Sequence, residues 1–97
     1  MTWKFHPQAS AEYLEACQYY AAIDRHLGVA FAHSVETAID QIVQRPAVWT
    51  VIEEDVRRYL LKRFPYGIHF TIEDAFVLIV SVAHMKRRPG YWRNRLA

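Results

Sequence analysis

The hydrophobic rhythm of the chain changes near its middle, from a repeat of three to four residues to strict alternation. Thr2–His6 alternates and carries Trp3 and Phe5, which predicts a short first strand ended by Pro7, a residue suited to the start of a helix. From Gln8 to Ile23 there is no Gly or Pro, and Tyr13, Leu14, Cys17 and Ala21 recur at helical steps, predicting a first helix. Asp24–Gly28 reads as a tight corner. In the next segment Phe31, Val35, Ala38, Ile39 and Ile42 share one face while Glu36, Asp40 and Gln44 share the other. This second helix stops before Pro46, because proline disfavours helical geometry in the residue preceding it. Two such helices joined by a short turn form an antiparallel hairpin.

Past residue 56 the period is two. Tyr66, Ile68, Phe70 and Ile72 alternate with Gly67, His69 and Thr71, predicting a strand with one buried face. Ala75–Ala83 is apolar on both sides, as a central strand is, and Glu73-Asp74 reads as the hairpin turn between them. Residues 56–64 make a less tidy strand, since Leu60 and Leu61 cannot both face inward. Residues 46–55 read as an acidic connector anchored by Val48, Trp49 and Ile52, and the tail after Pro89 as a turn or short helix ending at Arg93–Arg95. The fold class is α+β, one domain over residues 1–97 in the order β-α-α-β-β-β. The helical hairpin packs on one face of a small, mostly antiparallel sheet, and a short basic tail follows. The other face, bordered by strand 56–64 and the tail, is expected to be open.

Charge sharpens this picture. Residues 1–56 hold three Lys/Arg and eight Asp/Glu, whereas residues 57–97 hold nine Lys/Arg and only Glu73 and Asp74, so a formal net charge of +2 conceals an acidic half and a basic half. The basic half is rich in Tyr, Trp and His, a composition suited to a polyanionic or acidic partner. One cysteine excludes an internal disulfide and a cysteine cage for zinc. No secretory signal is read at the start, and no apolar run is long enough to cross a bilayer, so the expected location is the cytoplasm, away from the membrane. Neither a metal nor an organic cofactor is expected.

Several short motifs together resemble the RelE/ParE superfamily of toxins from bacterial type II toxin–antitoxin modules, in particular those described as plasmid-stabilisation proteins. They are Phe5-His6-Pro7-Gln8-Ala9 followed by Glu12; Leu27-Gly28 before Val35-Glu36 and Ala38-Ile39; Ile42 with Pro46; Arg58 followed by Arg63-Phe64-Pro65-Tyr66; and Val82-Ala83-His84 with Arg87-Arg88-Pro89 and Trp92. The resemblance implies growth inhibition, relieved by a cognate antitoxin that docks an amphipathic helix and in some members an added strand.

Two targets follow from the resemblance. RelE-like members cleave ribosome-bound messenger RNA without metal, as endoribonucleases, and ParE-like members inhibit DNA gyrase. For RNA cleavage, His84 is the candidate proton carrier, Arg63 and Arg87 candidate clamps on the phosphate, and Tyr91 a candidate for base stacking. Arg58, Lys62, Lys86, Arg88 and Trp92 are the candidate target-binding residues. In the ribonuclease-like relatives the position after the strand-opening tyrosine carries arginine, but here it is Gly67. That departure leans toward gyrase, with RNA cleavage as the alternative.

Overall fold

In the structure, a computed structural model that describes residues 1–96, Pro7 opens the first helix as its position suggests. Strand β1 (Thr2–Phe5) leads into α1 (Pro7–Ile23), whose N-terminus is capped by the His6 side chain accepting from the Gln8 N–H at 3.1 Å. Asp24 alone separates α1 from α2 (Arg25–Gln44). Its backbone N–H closes the last turn of α1, and its carboxylate accepts from the His26 N–H at 2.7 Å to open α2. The predicted five-residue corner is therefore a single residue. Gly28 lies inside α2, where a Cβ would stand 2.7 Å from the Cβ of Ala21, so glycine lets the two helices approach.

After a 3-10 turn (Pro46–Val48) come β2 (Thr50–Glu53), β3 (Val56–Leu60), β4 (Tyr66–Ile72) and β5 (Phe76–His84). The sheet order is β1-β5-β4-β3-β2, antiparallel except for the parallel β1–β5 pair. The α+β class and the helical hairpin on one face are as expected. The connector, however, contributes a fifth strand, and the strand read as 56–64 ends at Leu60. There Leu60 stays exposed, and Leu61 turns into the core as its N–H bonds the Tyr66 carbonyl at 2.9 Å.

The main core lies between the helices and the sheet. Phe31, Val35, Ile39 and Ile42 of α2 and Ala9 and Ala16 of α1 meet Tyr59, Ile68, Phe70, Val77, Ile79 and Val82. Burying each of the larger side chains contributes roughly 2 kcal/mol. An aromatic group of Tyr20, Phe31, Phe64 and Tyr66, with ring centroids 4.9 to 6.1 Å apart, closes one end.

The second face of the sheet is not open. The tail crosses it and seats Trp92, 2 % exposed, against Val56 and Val80, with Ile52, Leu78, Tyr91 and Leu96 packed around them. The reason is hydrophobic. Leu78 and Val80 give β5 an apolar second side, and the tail supplies the apolar cover it needs.

Candidate functional site

The site forms where β5 outruns β1. The parallel pairing ends at Phe5 and Ile79, leaving the outer edge of β5 without a strand neighbour beyond that point. Glu12 of α1 takes up part of this edge by accepting from the Val82 N–H at 3.1 Å, and Arg95 of the tail donates to the Val80 carbonyl at 3.0 Å. Arg95 also donates to Glu12 through both Nη atoms of its guanidinium, at 2.8 and 2.9 Å. The Tyr91 hydroxyl adds a third donor to Glu12 at 2.6 Å. Burial would raise the Glu12 pKa, but the bonds from Arg95, Tyr91 and the Val82 N–H outweigh it and hold the carboxyl below its usual range. Burial together with the Glu12 charge pushes the Tyr91 phenol up to about 12.

His84 ends β5 and sits edge-on to Tyr66, with centroids 5.2 Å apart. Its Nδ1 accepts from the Lys86 N–H at 3.0 Å, and its carbonyl accepts from the Arg87 N–H at 2.9 Å, so the first turn of the tail is built on this histidine. The chain then reverses at Gly90, whose φ of +74° suits glycine. Arg93 makes a two-pronged bond to Glu53 at 2.6 Å on each arm.

Between tail and sheet lies a cleft of about 230 Å³, lined among others by Arg58, His69, His84, Arg87, Arg88 and Tyr91. A second groove, against α1, shares His84 and Arg87 with it, so these two side chains stand between both hollows. Of the residues singled out from the sequence, the fold thus gathers Arg58, His84, Arg87, Arg88, Tyr91 and Trp92 around one cleft. Arg87 covers the Tyr91 ring at 3.9 Å, and Trp92 forms the buried floor, its ring 5.2 Å from that of His69. Lys62, Arg63 and Lys86 lie outside the cleft lining, on exposed turns. The Arg63 guanidinium rests over Phe64 at 5.4 Å.

Gly67 acquires a spatial meaning here. A Cβ at this position would stand 3.3 Å from Leu60 Cδ2 and 3.5 Å from the Cγ and Cδ of Arg58. A Cβ would crowd Leu60 and already touch the Arg58 stem, so a longer side chain at position 67 would contest the room along which that stem lies. The methylene stem of Arg58, from the neighbouring strand, thus lies beside a position that carries no side chain.

Two residues of the site were not among the sequence candidates, Glu12 and His69. His69 pairs through Nδ1 with the Ser81 hydroxyl at 2.5 Å, and both side chains are buried. Burial, reinforced by the positive charge of Arg58, lowers its pKa to about 4. The ring is therefore uncharged at neutral pH. Among the described residues, no group of His, Cys, Asp or Glu is placed to hold a metal ion, and no helix is long and apolar enough to cross a membrane.

Residues 3–89 match the family described as the ParE toxin of the type II toxin–antitoxin system parDE. The chain belongs to the ParE toxin family. Among solved structures it is similar to a chain described as the chromosomal ParDE TA system from P. aeruginosa, with a TM-score of 0.74 and 16 % identity, over 87 % of this chain and 95 % of that one. At that identity the likeness establishes the fold. A search among curated proteins returns no match. As a ParE-family protein, the chain is a type II toxin whose partner is an antitoxin. The family match ends at residue 89, so the segment that seats Trp92 and Arg95 lies beyond the matched residues of this toxin.

Proposed function

We propose that this toxin arrests growth in the cytoplasm by binding DNA gyrase and blocking it stoichiometrically, without cleaving RNA. The observation that carries this reading is the state of the groups an RNA cleavage would need. The Tyr91 hydroxyl is committed to Glu12, and the Nδ1 of His84 accepts from the backbone of its own turn. Arg63 lies on a loop outside the cleft that His84 lines. Metal-free cleavage requires a proton acceptor, a proton donor and a cation converging on one phosphate. A blocking toxin needs only a complementary surface, and the exposed cations Arg87 and Arg88, with Arg58 and His84 beside them, supply one.

The antitoxin reading draws on a separate groove that shares no lining residue with the cleft. Trp3, Phe5, Tyr13, Val35 and Ile39 line a groove rimmed by Glu36 and Asp40, beside the free edge of β1. It suits an amphipathic helix bearing basic residues, with a strand added along that edge.

The test is a supercoiling assay on relaxed plasmid with purified gyrase, beside a translating extract in which message integrity is followed. Supercoiling is expected to fall as toxin approaches equivalence with gyrase, and antitoxin to restore it, while message stays intact. Normal supercoiling at saturating toxin, or message cut at ribosome-bound codons, overturns the reading.

A further inference from the structure

The cleft between tail and sheet carries more positive charge than the fold itself uses. Its lining holds Arg58, Arg87, Arg88 and Arg93 against a single carboxylate, Glu53, a formal excess of three positive charges. Glu53 is already taken by Arg93. Arg58 and Arg88 have no carboxylate partner among the described residues, and they reach the cleft from opposite walls, one on β3 and the other in the tail. His69, the cross-strand partner of Arg58, lines the same cleft; it is 9 % exposed, with Nδ1 committed to Ser81 and Nε2 without a partner among the described residues.

Each element is held in place by something else. Gly67 leaves the lane in which the Arg58 stem lies, Trp92 backs the His69 ring, and Tyr91 carries Arg87 on its face. Guanidinium forks match the oxygens of a tetrahedral oxyanion in pairs, and forks from two walls suit a tetrahedral group better than a planar carboxylate.

We infer that this cleft is a binding site for a phosphoryl group, held by Arg58 and Arg88 with His69 beside Arg58, and that Gly67 specifies it by giving Arg58 its lane. The group comes either from a nucleic-acid backbone or from a free nucleotide, and it is bound without being cleaved. The inference goes beyond gyrase inhibition and does not depend on it, because it concerns the isolated toxin.

The experiment is calorimetric titration of the purified full-length toxin at low salt with pyrophosphate, a mononucleotide, a short oligothymidylate and an acidic peptide of matched charge. Saturable binding of a phosphoryl ligand is expected, weakened about tenfold or more by Arg58→Gln. Gly67→Val, which contests the lane of the Arg58 stem, lowers affinity in the same direction. Arg25→Gln, an exposed substitution on α2, leaves it unchanged. Unaltered thermal midpoints show that the variants remain folded. In NMR titrations, the His69 ring midpoint, near 4 in the free protein, rises when ligand is bound. A preference for the oligonucleotide assigns the site to a backbone, and a preference for the mononucleotide assigns it to a free nucleotide. The inference is overturned by no saturable binding at about 10 mM phosphoryl ligand, a range corresponding to only a few kcal/mol of affinity. It is equally overturned by unchanged affinity in Arg58→Gln, or by an acidic peptide that binds as well.

Discussion

Glu12→Gln tests the clasp between the first helix and the tail, because it keeps the size of the side chain while removing its charge and turning one of its two accepting oxygens into a donor. Glu12 and Arg95 are 14 % and 7 % exposed, so water cannot readily replace what is lost. Arg95 Nε already lacks a partner among the described residues, which leaves the guanidinium little reserve. Breaking one side of such a pair costs about 3–5 kcal/mol, a large share of the roughly 5–15 kcal/mol that holds a domain together. The assay is urea unfolding of the parent, Glu12→Gln, Arg95→Met and the double variant. If the pair acts as a unit, the double variant is less destabilised than the two single losses added, by more than about 1 kcal/mol.

Acidity gives an independent reading. The folded-state pKa of Glu12 lies below its ordinary 4.5, so its contribution is fully present above that value and is lost as pH falls through the depressed one. His69 adds a separate loss, from its ordinary 6.5 down to about 4, because the unfolded chain takes up a proton there that the buried ring refuses. The Glu12 charge also acts on His69, so the comparison is made in a His69→Gln background, where the difference between the pH profiles with and without Glu12→Gln reports Glu12. Single variants within about 0.5 kcal/mol of the parent, a surface-like value, would refute the clasp. Strict additivity, or an acid limb unchanged by Glu12→Gln in that background, would do the same.

Two further outcomes follow from packing. Trp92→Ala should cost about 3–5 kcal/mol in the same unfolding assay, since it uncovers Val56 and Val80; a loss under about 1 kcal/mol would mean the tail is only loosely laid down. Gly28→Ala would gain about 1 kcal/mol on a free helix, but here the new methyl meets Ala21 Cβ at 2.7 Å and Ala21 backbone at 2.9 Å. Overpacking of about 1–3 kcal/mol should win, and a raised melting midpoint would contradict it.

The helices and the two long strands were legible because each has a periodic apolar face. Phe31, Val35 and Ile42 announce α2, and the Tyr66–Ile72 alternation announces β4. β2 was not legible. It is four residues long on an edge, with a register shift between Val51 and Glu53, too short for a period to show. Gly28 has the local signature of a turn because glycine usually breaks a helix, whereas here it answers a helix–helix approach that no local pattern records. The closed second face did leave a signal. A strand apolar on both sides, as Ala75–Ala83 is, requires cover on both sides, and the tail that follows it carries Tyr91 and Trp92 to give it. Glu12 left almost none, for its partners stand 70 to 83 positions away. Gathering Arg58, His84, Arg87 and Arg88 at one cleft follows from the basic character of the second half. The exclusion of Arg63 follows from β3 ending early, at Leu60.

The first strand pairs with residues 76–79, and the first helix is clasped by residue 95. A ribosome making this toxin therefore releases residues 1–79 before the first closure can form and residues 1–95 before the second, and a message cut short of them yields a product with an unfinished sheet and a bare hydrophobic back. Contacts this distant in sequence form slowly, because a long loop must close before they repay its entropy. Synthesis thus carries its own delay, an interval in which the nascent toxin is present but its basic surface has not yet been assembled.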